Sequence, residues 1–170
     1  IIGVLLAKPI SKVIGKKKTF MYSIIISSLL SFVFFFLQPT QLLAIFGLNI
    51  LIGISAGVVL PLVWAMYADI ADYSEWKNGR RSIGLIFSSS SMSQKFGWTL
   101  GGAVTGWALA KIGFEPNAVQ DDSAILGIRL MISVIAGVAG LLAALFAYMY
   151  TLDEPKMEKI QAELKTMRGT

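Results

Sequence analysis

Four stretches of this chain are apolar over the length a helix needs to cross a bilayer: 19–37, 41–68, 82–114 and 124–152. A hydrocarbon core takes roughly 20 consecutive apolar residues in a helix. In lipid every backbone N–H and C=O must be satisfied within the chain, which leaves only helices or closed barrels. None of the four stretches alternates with period two, and this excludes a β-barrel. The chain is therefore predicted to be an all-α, polytopic transmembrane helix bundle. Composition agrees, since 55% hydrophobic and 15% charged residues with a mean hydropathy of +0.70 lie outside the range of soluble domains. Residues 1–7 (IIGVLLA) are apolar but too short to span. They read as the end of a truncated membrane helix, so the chain is expected to be a piece of a longer protein.

The connections set the expected orientation. Segment 8–18 carries Lys8, Lys12, Lys16, Lys17 and Lys18 with no acid; segment 69–81 carries Lys77, Arg80 and Arg81; the tail 153–170 carries Lys156, Lys159, Lys165 and Arg168. Connections 38–40 and 115–123 carry no Lys or Arg. This alternation follows the positive-inside rule for four consecutive spans. It predicts a basic cytoplasmic loop 8–18, a cytoplasmic hinge 69–81 and a cytoplasmic C-terminal tail. The net charge of +5 is then a topology signal, and no nucleic acid partner is expected. The chain has no Cys and no His, which removes disulfides, thiolate metal sites and the commonest metal ligand. No nucleophile–base pair stands out, so neither an enzyme nor a resident cofactor is expected. In the tail, Asp153, Glu154 and Pro155 open a helix on which Met157, Ile160, Leu164 and Met167 form one apolar stripe. Such a helix lies on the membrane surface or on neighbouring loops.

Within the spans, small residues recur at helical spacing. Asn49, Gly53, Gly57 and Pro61 share one face, as do Gly97 with Gly101 and Gly102 with Gly106. These faces predict close helix packing, with an interhelical hydrogen bond for Asn49 and a kink at Pro61. Lys95 stands apart. It lies about 20 Å into its span at 1.5 Å per residue, with Ser88, Ser91, Trp98, Thr99 and Gly102 on the same face. An ammonium at mid-bilayer costs about 2.5–3.5 kcal/mol on insertion scales and marks a functional site. All ten acids lie at membrane ends. Either Lys95 is neutralised by burial or its counter-ion lies outside this chain, and the second is preferred. The serines are readable as bonded to their own helix carbonyls. Trp98 and Trp64 are readable as packing residues or as flat surfaces toward a sugar ring. In the hinge, Asp69, Asp72 and Glu75 lie one turn apart and precede Arg81. They form either a solvated loop worth little or a cytoplasmic gate, and the gate is preferred.

The text "YADIADYSEWKNGRRSIGLIFSSSSMSQKFGW", continuing into "GGAVTGWALAKIGF", resembles the glycoside–pentoside–hexuronide:cation symporter family. That family is a branch of the major facilitator superfamily that includes melibiose permease. Its AD-x-x-DY-x-E-[YFW]-K motif is met by Ala68, Asp69, Asp72, Tyr73, Glu75, Trp76 and Lys77, its arginine by Arg81 and its helix-eleven lysine by Lys95. The resemblance implies that the four spans are helices nine to twelve of twelve, in a bacterial inner membrane. It implies symport of a sugar or glycoside by alternating access, with Na⁺ or H⁺ as coupling cation and the acids of the cation site on the missing N-terminal half. Lys95, Ser90, Ser91, Trp98 and Trp64 are then expected at the coupling and sugar site. Ser90 and Ser91 stand where melibiose permease has Gln-Thr near the sugar, a difference at the sugar itself. Asp69, Asp72, Glu75 and Arg81 are expected at the cytoplasmic gate. Two alternatives remain open: a non-transporting membrane sensor with this fold, and a major facilitator for another solute.

Overall fold

The computed structural model describes residues 1–168, so the predicted tail 153–170 ends outside the described residues. The described chain is helical: α1 (Ile2–Ile14), α2 (Lys16–Phe34), α3 (Leu42–Asn78), α4 (Ile83–Lys111), α5 (Asp122–Leu130), a π-helical turn (Met131–Ile135), α6 (Ala136–Tyr148) and α7 (Glu154–Arg168). Three stretches are long and apolar enough to cross a membrane: Lys16–Phe34, Leu42–Asn78 and Asp122–Tyr148. The fourth expected span, α4, has the length but not the apolarity. Ser88 to Ser91, Gln94 and Lys95 dilute its middle.

Two expected loops are largely helix. Segment 8–18 continues α1 to Ile14, breaks at Gly15 with φ 86° and resumes as α2 at Lys16. Only glycine takes that backbone region at no steric cost, so the basic run bends without unwinding. The hinge 69–81 is the last turns of α3, which runs unbroken to Asn78 and ends on Gly79 in the left-handed region. The Gly79 N–H donates to the Glu75 carbonyl at 2.8 Å, as helix-ending glycines do. Helical geometry satisfies the backbone where an open loop at a membrane surface would not.

In the packed core, α2 lies between α3 and α6, and α1 lies against α3. Close approach comes from small residues, though not always the expected ones. A Cβ on Gly3 would fall 2.1 Å from the Ile54 carbonyl oxygen and 3.0 Å from the Gly57 Cα. Gly140 faces Ser28 and Gly137 faces Phe32 in the same way. Ala7, Val58 and Leu62 bury beside these contacts, with Phe20 against them. A Cβ on Gly53, Gly97, Gly101, Gly102 or Gly106 would meet nothing within 4 Å beyond its own helix backbone among the described residues, and Asn49 is exposed. The close packing expected of α4 is thus absent from the described chain. Helix α4 buries none of its residues and touches the bundle chiefly at its start. The amphipathic tail helix α7 buries Met157, Ile160 and Leu164 against Ile70, Tyr73, Trp76 and Tyr150. Its stripe therefore covers the end of α3, and Met167 stays exposed.

Candidate functional site

Helix periodicity brings Ser88, Ser91, Lys95 and Thr99 onto one face of α4. They line a groove of about 610 Å³ with Met92, Phe96 and Leu100. Every lining residue belongs to α4, so the groove has one wall. Lys95 is exposed, and no carboxylate lies within 4.0 Å of its ammonium among the described residues. Neighbouring hydroxyls turn inward on the helix: Ser90 Oγ donates to the Ile86 carbonyl at 2.7 Å and Thr99 Oγ1 to the Lys95 carbonyl at 2.8 Å. Ser90 is thus bonded to its own helix, whereas Ser91 lines the groove. Trp98 is 76% exposed and lies outside the groove lining. Trp64 stacks on Phe87 at 5.7 Å between centroids and meets Tyr67 edge-on at 5.9 Å. It serves the α3–α4 contact.

The second cluster lies at the end of α3. Asp69 is only 5% exposed, and its carboxylate oxygens accept from the Lys16 ammonium at 2.7 and 2.5 Å. Lys16 sits just after the Gly15 break, and its backbone N–H donates to Glu154 Oε2 at 3.2 Å. The junction α1–α2, the end of α3 and the start of α7 are joined at this point. The Tyr150 hydroxyl is buried beside it without a hydrogen-bond partner among the described residues. Burial first, then the Asp69 and Glu154 carboxylates, push its pKa up, so it stays protonated.

The expected gate acids divide between partners. Arg81 pairs with Asp72 at 2.8 Å and with Glu75 at 3.6 Å. The Asp72 contact is charge proximity without hydrogen-bond alignment. Arg168 of α7 donates through Nε to Glu75 at 2.9 Å and through Nη2 to the other oxygen, and it lies 3.9 Å from Asp72. Hydrogen bonding to Glu75 raises the Arg168 pKa. The Trp76 indole donates to Glu163 on the same tail helix. Asp72, Glu75 and Arg81 therefore meet as expected, while Asp69 pairs with Lys16 instead of Arg81. Sequence reasoning passed over Lys16, Glu154, Tyr150 and Arg168 as site residues. The apolar stripe of the tail was a signal that α7 docks, but not where.

Arg129 was also passed over. Its guanidinium donates to the Phe35 and Leu37 carbonyls at 2.5 and 3.1 Å and lies 5.5 Å from the Phe35 ring centroid. It satisfies carbonyls that the end of α2 leaves unpaired. A lone arginine near the start of an apolar run was the available signal.

Against known proteins, a family model described as MFS/sugar transport protein matches residues 1–154. A putative glycoside/cation symporter of Escherichia coli is 34% identical over 148 residues, 85% of this chain and 32% of that protein. A putative sulfoquinovose importer of Salmonella typhimurium is 31% identical over 172 residues, 100% of this chain and 36% of that protein. An uncharacterized 29.9 kDa protein of Pseudescherichia vulneris is 34% identical, covering 97% of this chain and 61% of that protein. The chain spans less than two thirds of the length of each of these relatives.

Proposed function

The chain belongs to the MFS/sugar transport family of multi-pass membrane proteins, and from that premise we propose that it is the C-terminal part of a cation-coupled sugar or glycoside symporter. Alternating access in a bacterial cytoplasmic membrane, with Na⁺ or H⁺ as coupling ion, completes the reading. One observation carries it: the Lys95 ammonium lines a one-walled, largely apolar groove and has no carboxylate within reach among the described residues. A charge so placed needs a partner across the groove. In transporters built from repeats, substrate and ion sites lie at the midplane between the two halves. Acids on the other half would offer Lys95 that partner, and their occupancy by a cation would compete with it. Ser91 would present its hydroxyl toward a sugar. The names of the relatives support glycosides and sulfonated sugars as the substrate classes to try first.

At the other site, the pairs of Asp69 with Lys16 and of Asp72 and Glu75 with Arg81 would close the cytoplasmic side in one state and part in the other. The test is ion-gradient-driven accumulation of labelled glycosides and sulfoquinovose by the complete protein that carries this chain, normalised to inserted protein. Lys95→Ala is expected to abolish accumulation while insertion is kept, because a costly mid-bilayer group is removed. Lys95→Arg is expected to fail as well, since a planar guanidinium does not replace a compact ammonium. Near-wild-type accumulation by Lys95→Ala would overturn the coupling role.

A further inference from the structure

Where the α1–α2 junction meets the end of α6 and the start of α7, a cleft of about 470 Å³ opens. Lys12, Lys17 and Lys18 line it. Lys17 is held in place: its ammonium donates to the Tyr148 carbonyl at 2.9 Å and lies 5.4 Å from that ring's centroid. Lys12 and Lys18 are exposed, with no carboxylate within 4.0 Å among the described residues. Two acids share the lining, Asp153 and Glu154. Glu154 is engaged by the Lys16 backbone N–H at 3.2 Å, and Asp153 is exposed.

The rest of the lining is apolar. Val13 is 83% exposed, and Ile14 and Tyr148 are exposed as well. Helix α2 is long and apolar enough to span from its first residue, Lys16, which places these lysines at headgroup level. Exposed ammonium groups beside open aliphatic side chains at that level complement an amphiphile, not a soluble anion. We propose that this cleft binds an anionic phospholipid, with its phosphate on Lys12 and Lys18 and an acyl chain along Val13 and Met21. Lys17, tied to Tyr148, adds charge to the floor and joins the lipid to the end of α6. The proposal rests on the membrane placement of α2 and not on sugar transport, so its failure leaves the transport reading standing.

The test uses the complete protein carrying this chain, purified in detergent, delipidated and offered phosphatidylglycerol and phosphatidylcholine in equal amounts. Retained lipid is counted by native mass spectrometry. The wild type is expected to retain phosphatidylglycerol in preference. The double variant K12Q/K18Q is expected to bind it about 25-fold more weakly, since each lysine near an anionic headgroup contributes about fivefold. Both side chains are exposed, so the variant keeps its packed core. The control K77Q/R80Q removes two exposed charges elsewhere and is expected to change nothing. Equal retention of the two lipids by the wild type would overturn the site. So would an equal loss in the control, which would mean diffuse surface charge. Complete displacement by millimolar inorganic phosphate would assign the lysines to a soluble anion instead.

Discussion

At Asp69 the chemistry of one residue decides how the charged end is wired. A carboxylate 5% exposed has left most of its water, and among the described residues only the Lys16 ammonium compensates it at close range. Removing one partner of a buried pair leaves the other uncompensated, at a cost of about 3–5 kcal/mol. Lys16→Met is therefore expected to lower the thermal midpoint of the complete protein in detergent, and Asp69→Asn on that background to restore part of the loss. A double variant no better than Lys16→Met alone would show that the two charges act independently. Exchanging the charges of Asp69 and Arg81 is expected to give no such recovery. The acids of the motif were legible in the sequence, but their partners were not. Each three-residue step on a helix turns the side chain by about 60° from the last, so Asp69 and Glu75 point about 120° apart. That rotation turns Asp69 toward the α1–α2 junction and Glu75 toward Arg81 and Arg168.

Among whole elements, α7 and α3 show which force docks a helix. Arg168, which ties them, is 41% exposed, and an ion pair so open to water contributes little. Met157, Ile160 and Leu164 are buried, and each such side chain contributes about 1.5–3 kcal/mol. The apolar stripe therefore holds the tail helix, and the ion pairs select its register. Ile160→Asp places an unpaired charge in that contact. It is expected to free α7, so that trypsin cuts at Lys156, Lys159 and Lys165 well before it cuts the wild type. Unchanged cleavage would mean that the ion pairs alone suffice. The stripe itself could be read from residue spacing. Its target could not, because Ile70, Tyr73 and Trp76 sit in a segment whose charges suggest an open hinge, while helical continuation of α3 turns its apolar side chains into a docking face.

Over the whole molecule, the three basic segments meet at one end. Lys16, Asp69, Glu154 and Arg168 all converge there, while Arg129 braces the end of α2 and the 35–37 carbonyls. Shared polarity of this kind is what the positive-inside rule requires of cytoplasmic segments. The chain has no native cysteine, so single cysteines report on sidedness. In intact cells, cysteine at Asn117 is expected to react with an impermeant thiol reagent, and cysteine at Asn78 is not. Both positions are exposed, so burial does not confuse the readout. The reverse pattern would invert the orientation and place the Lys16–Asp69 cluster outside.

The sequence alone determined that this chain is helical and membrane-spanning. Apolar runs of that length leave the backbone no partners but its own, and that requirement acts locally. It also marked Lys95, because an ammonium in the middle of a helix of spanning length stands out whatever surrounds it. The tertiary structure decided the pairings: Lys16 for Asp69, Arg168 for Glu75, Gly57 for Gly3, and the end of α3 for the tail helix. Each depends on the rotation and approach of two helices distant in sequence. Spacing along one helix says which residues share a face, but only packing says what that face meets.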